Sequence, residues 1–137
     1  MGLLILTGFL PLAMGWLINW HMMLHPDTFP PLFIIGIAVL FVWTWIARNV
    51  NKKMLNTGLV MLCQNLAGLL AIFMLAVQAV SGGIWNNLAG ILPQMFFIPV
   101  MYIGVAFLRG AGPFLIYLVT FALMVLASFL GCKWAEK

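Results

Sequence analysis

Both histidines of the chain and one of its two acidic residues fall in the short stretch WHMMLHPDTFPP, Trp20 to Pro31. His21 and His25 are four apart, a spacing that puts both rings on one face of a helix, and Asp27 lies just beyond. Two imidazoles and a carboxylate are metal ligands, and imidazole is also the side chain that changes charge near neutral pH. Zinc takes three or four protein ligands. The remaining candidates are Glu136, the second acidic residue, and Cys132, which can join only if the last segment ends on the same side. The set is too thin for a metal centre, so no cofactor is expected and His21, His25 and Asp27 stand as weak candidates. Haem between two histidines is disfavoured because both lie on one segment. The stretch is expected to be a hydrated connector in which Asp27 or Thr28 caps the next helix.

A second group of chemistry-bearing side chains lies inside apolar sequence. Thr57, Met61, Gln64, Gly68, Ala71, Leu75 and Gln78 alternate at spacings of four and three, one stripe of a helix, with Asn65 beside it. Such a stripe is expected to face protein, since small residues let helices approach and amides hydrogen-bond across them, at about 0.6 kcal/mol per bond. Thr120, Ala127 and Gly131, with Ser128 beside them, form a parallel stripe, and Gly8, Gly15 and Asn19 a third. The functional alternative is that Gln64, Asn65, Gln78 and Gln94 line a polar path for a neutral or weakly polar substrate.

The elements that must position these residues follow from composition. The 137 residues are 66% hydrophobic and 6% charged, against about 25% charged in soluble domains, and mean hydropathy is +1.19. The chain reads as an all-α integral membrane protein, a single polytopic domain over 1–137. Five segments can cross a hydrocarbon core about 30 Å thick: about 2–20, 31–47, 57–80, 88–108 and 113–131. Continuous apolar runs favour helices over a barrel. The first segment lacks a basic leader and a cleavage site and is expected to stay in the protein. Pro30 and Pro31 suit a helix start, while SGGIWNN (Ser81 to Asn87) and RGAGP (Arg109 to Pro113) read as turns. Trp16, Trp20, Trp43, Trp45, Trp85 and Trp134 sit at segment ends, as interfacial tryptophans do.

With a cytoplasmic N-terminus, five crossings put Arg48, Lys52, Lys53 and Arg109 inside, and Lys133 and Lys137 outside. The alternative is four crossings plus a re-entrant hairpin at 88–108, marked by Pro93 and Pro99. It puts five basic residues inside and only Arg109 outside, but asks for buried non-helical backbone; five crossings are preferred. In that arrangement Cys63 and Cys132 lie at opposite ends, out of disulfide range, and both are expected as buried packing residues. RNVNKK, Arg48 to Lys53, reads as a topology determinant, since three basic residues fall short of an anionic-lipid cluster. Nothing supports nucleic-acid binding.

Absences narrow the function. None of the five segments contains Asp, Glu, Lys, Arg or His, which removes the usual machinery of proton-coupled transport and of acid-base catalysis within the membrane. The chain is expected not to be an enzyme. Two readings follow: a transport or channel component acting as a homo-oligomer or as a subunit with another membrane protein, preferred for its Gln/Asn stripe and proline-broken fourth segment, or a non-catalytic accessory or assembly subunit of a larger membrane complex.

Overall fold

The computed structural model describes residues 2–54, 56–80 and 85–136. Of the turn expected at 81–87, residues 81–84 lie outside the described residues and 85–87 are instead the first residues of a helix; Lys137 and the side chains of residues 3 and 85–89, Trp85 among them, also lie outside the described residues. The described residues form helices α1 (Gly2–Gly8), α2 (Leu10–Leu24), α3 (Leu32–Met54), α4 (Thr57–Val80), α5 (Trp85–Phe107) and α6 (Pro113–Ala135). The pair α1–α2 reads as one rod broken at Phe9. Pro11, in the first turn of α2, has no N–H to continue the ladder, and Gly8 brings the break against α4, where an added Cβ would stand 2.8 Å from the Gln64 carbonyl oxygen. Five of the resulting rods are long and apolar enough to cross a membrane.

Several boundaries differ from the sequence expectation, among them the start of α5 at Trp85 and the end of α6 at Ala135. The first segment stays helical to Leu24, carrying His21 into the helix. The second runs through RNVNKK to Met54, because nothing in that run breaks a helix and its basic residues suit a helix C-terminus. The expected cap by Asp27 or Thr28 is not made. The N–H groups of Leu32 and Ile35 donate to the Pro30 and Pro31 carbonyls, and Thr28 turns back to the carbonyl of His25.

The helices do not alternate in direction as five crossings would. Leu4, Ala47, Val60, Cys63 and Cys132 form one apolar cluster, so the start of α1, the end of α3, the start of α4 and the end of α6 share one end of the bundle, hereafter the Lys52 end. At the opposite, Asp27 end, Leu75 and Gln78 of α4 meet Pro113 and Phe114 of α6. Helices α3 and α6 therefore run parallel. They touch backbone to backbone where Gly131 lies on the Thr44 carbonyl, a contact that any side chain at 131 would obstruct.

The odd helix is α5. Gly90 lies on the Gln78 amide, Gly15 of α2 on the Met95 carbonyl, Gly36 of α3 on Pro99 and Ile103, and Gly104 on Thr120. It thus passes from between α2 and α4 to between α3 and α6, touching the second half of α4 and the first halves of α3 and α6. At about 1.5 Å per residue it is long enough to span, yet both its ends serve the Asp27 end. It achieves this as one continuous helix containing Pro93 and Pro99, not as the hairpin considered from sequence. Phe96, Phe97, Val100 and Ile103 of α5 join Val39 and Trp43 of α3, Ala67, Ala71 and Leu75 of α4, and Met124 and Ala127 of α6 in the main core.

Candidate functional site

The stripe on α4 divides into a buried part and an open part. In the buried part, Gln64 has no exposed surface and Asn65 very little, and Gly68, Ala71 and Leu75 are buried with them. Asn65 joins three helices. Its Nδ2 donates to Ser128 Oγ on α6 at 2.9 Å and to the Met61 carbonyl on its own helix at 2.9 Å, while its Oδ1 accepts from Trp43 Nε1 on α3 at 3.4 Å. Gln64 Nε2 donates to the Trp43 carbonyl at 3.0 Å, and Gln64 Oε1 has no partner among the described residues. One turn on, Gly68 forms the socket for Phe121 and Phe96, whose ring carbons would stand 2.8 and 3.2 Å from an added Cβ.

Trp43 is the residue that sequence reasoning misplaced. It was expected at the interface with Trp45, yet it is wholly buried while Trp45 is exposed. The signal lay in its register: Gly36, Val39, Trp43, Ala47 and Asn51, spaced by three and four, are all buried, and Trp43 belongs to that stripe whereas Trp45 does not.

The open part lies at the Asp27 end. Half-buried Gln78 and exposed Gln94 share a recess of about 380 Å³ with Leu75, Pro113, Phe114 and Tyr117. Gln78 is about 20 Å along α4 from Gln64 and Asn65. Between them the core is filled by Phe96, Phe97, Val100 and Met124, and Phe97 packs on Tyr117 with ring centroids 5.5 Å apart. The amides considered together as a path therefore occupy two separate environments, a closed hydrogen-bonded cluster and a surface recess.

His21 and His25 do share a face, with ring centroids 5.1 Å apart, next along the helix from the tilted pair Trp16 and Trp20. Both rings and Asp27 are exposed. Cys132, the thiol considered as a further ligand, is buried at the opposite end of the bundle. That placement also corrects the expectation for the cysteines. Cys63 and Cys132 lie in one apolar cluster, not at opposite ends, and both are buried free thiols. The cause is the path of α5, which leaves α6 pointing back to the Lys52 end.

At that end a second polar set ties α6 down. Asn51 Nδ2 donates to the Cys132 carbonyl and to Thr57 Oγ1, both at 3.2 Å. The Thr57 hydroxyl in turn donates to Glu136 Oε1 at 2.9 Å, and Lys133 Nζ donates to Glu136 Oε2 at 2.7 Å. These donors, Lys133 first and Thr57 second, hold the exposed Glu136 carboxyl below its usual range. Among the described residues no three His, Cys, Asp or Glu side chains gather as a metal-binding group. Compared with family models, curated proteins and solved structures, the chain matches none, so its geometry carries the functional argument.

Proposed function

We propose that the chain crosses a membrane four times, through α1–α2, α3, α4 and α6, with both ends cytoplasmic and α5 oblique in the outer half. The distribution of charge supports this orientation. Arg48, Lys52, Lys53 and Lys133 belong to the Lys52 end and Arg109 to the other, the asymmetry expected when basic residues stay in the cytoplasm.

Within that frame the protein acts as a non-catalytic subunit of a larger membrane assembly. The observation that carries this reading is the packed interior around Asn65: its amide is spent on Trp43, Met61 and Ser128, and bulky core side chains fill the space beside it. A pathway needs polar groups free to exchange partners with a moving solute, and these are committed to fixed helix contacts. A second reading, transport of a neutral or weakly polar solute along an interface between copies or with another membrane protein, draws on the open recess of Gln78, Gln94 and Tyr117.

Reconstitution separates the two. Vesicles containing the purified protein should be no more permeable to glycerol or urea than empty vesicles, and the complex extracted in native lipid discs should contain a second polypeptide in fixed proportion to this chain. Solute flux that rises with protein content and is lost in Gln78→Leu and Gln94→Leu would replace the subunit reading with the transport reading.

A further inference from the structure

The parallel run of α3 and α6 leaves a groove on the outside of the bundle, to which α5 contributes buried Ile103 and exposed Phe107. Its volume is about 430 Å³, and Phe33, Ile37, Phe41, Leu123 and Leu130 are among its apolar walls. Each wall continues in register to the Lys52 end. On α3 the positions Ile37, Phe41 and Thr44 lead by steps of three and four to Arg48 and then Lys52; on α6, Leu126 and Leu130 lead to Lys133 and Trp134. The two walls meet at that rim, where the Arg48 guanidinium carbon stands 3.9 Å from the Trp134 ring centroid.

Arg48 is set as a receptor. The Trp134 ring lies against the guanidinium carbon and holds that end of the side chain; Nε is covered and has no partner among the described residues, so a phosphate would be met by the terminal nitrogens. Lys52 is exposed one turn away, and Lys133, half-exposed, is shared with Glu136. An apolar channel of this kind, headed by a held cation at the level of the membrane interface, matches one type of molecule in both halves.

We propose that this groove binds an anionic phospholipid, one acyl chain lying between α3 and α6 and the phosphate received by Arg48 with Lys52. The sequence alone shows three basic residues in RNVNKK; the return of α6 brings Lys133 to the same end, where it is paired with Glu136, so the phosphate is assigned to Arg48 and Lys52. Arginine is suited to the role because its donor fork matches phosphate oxygens. A transmembrane helix from a partner would fill the apolar walls but leave the Arg48 donors unmet unless it brought an acid, so lipid is the better match. The proposal rests on the membrane reading above.

The test is native mass spectrometry of the protein released from bilayers of equimolar phosphatidylcholine and phosphatidylglycerol, with flotation of the same preparation on vesicles as a separate check of membrane insertion. Wild type should retain phosphatidylglycerol in preference to phosphatidylcholine. Arg48→Gln should reduce that preference about fivefold, the size expected for one basic group near an anionic surface. Leu126→Trp, at an exposed groove position, should reduce retention of both lipids, while Arg109→Gln at the far end should behave as wild type. Helical content by circular dichroism verifies that each variant is folded. Equal retention of the two lipids by wild type, an unchanged preference in folded Arg48→Gln, or a protein chain bound in place of lipid would overturn the proposal. Failure to float would instead reject the membrane reading.

Discussion

Asn65 on α4 and Ser128 on α6 meet inside the bundle, the amide Nδ2 donating to the hydroxyl oxygen at 2.9 Å, and the same amide accepts the indole N–H of Trp43 from α3. Replacing Asn65 by Leu leaves the indole N–H and one hydroxyl bond unmade in a buried setting, which costs about 1–3 kcal/mol. Gln64→Leu removes a single bond to the Trp43 carbonyl and also a buried oxygen without a partner, so its effect should stay within about 0.6 kcal/mol of zero. Equilibrium unfolding in mild detergent should rank Asn65→Leu well below Gln64→Leu. Equal losses at the two sites would contradict the assignment of Asn65 as the joint between three helices.

Helix approach gives a sharper contrast among glycines. Gly15 lies against the Met95 carbonyl, with no room for a Cβ, whereas an added Cβ at Gly112 meets nothing within 4 Å. Gly15→Ala should cost about 1–3 kcal/mol through overpacking or force α5 away from α2. Gly112→Ala, at the N-cap of α6, should cost less, about 0.5 kcal/mol. Thermal unfolding of the two variants checks this, and tolerance of alanine at 15 would mean that α2 and α5 are further apart than described.

How far this was legible in the sequence depends on what each residue answers to. The α4 stripe was visible because burial on a helix repeats at a period the sequence displays, and Gln64, Asn65 and Gly68 sit where that period puts them. The direction of α6 was not. Leu88 to Leu108 has the length and hydropathy of an ordinary crossing, and what tilts α5 is a set of tertiary contacts, Gly15 on Met95 and Gly104 on Thr120, that no local pattern announces. From that one path follow the nearness of Cys63 to Cys132 and the joining of Lys133 to the basic end. The split between Gln64 and Gln94 has the same origin, since residues with one chemistry are sorted by a helix whose course is not local.

At the Lys52 end, acid should loosen the tie. Lys133 and Thr57 hold Glu136 below its ordinary value of 4.5, so the interaction contributes stability above that value and loses it as pH falls through the lower folded value. The carboxylate is exposed and the effect correspondingly small. Unfolding measured from neutral pH downward should show an acid-dependent loss in wild type that is reduced in Glu136→Gln. An identical acid limb in the two proteins would remove Glu136 from the account.

The neighbouring histidines carry a prediction of dispensability. His21 and His25 are exposed, and Asp27 makes no cap for α3. Replacing both histidines by Gln, or Asp27 by Ala, should leave folding and the metal content of the purified protein unchanged, as read by circular dichroism and elemental analysis. Stoichiometric metal in wild type that disappears in the double variant would make this face a binding site.

The direction of α6 is the point on which the rest depends, and accessibility labelling in sealed vesicles reads it directly. Single cysteines would replace Asp27, Lys52, Arg109 and Glu136 in turn, in a chain with Cys63 and Cys132 replaced by Ala, and be exposed to a membrane-impermeant maleimide. The Thr57–Glu136 and Asn51–Cys132 bonds predict that positions 52 and 136 react from one side of the membrane and 27 and 109 from the other. Reaction of position 136 together with 27, opposite to 52, would restore five alternating crossings and contradict the architecture from which the subunit and lipid proposals are drawn.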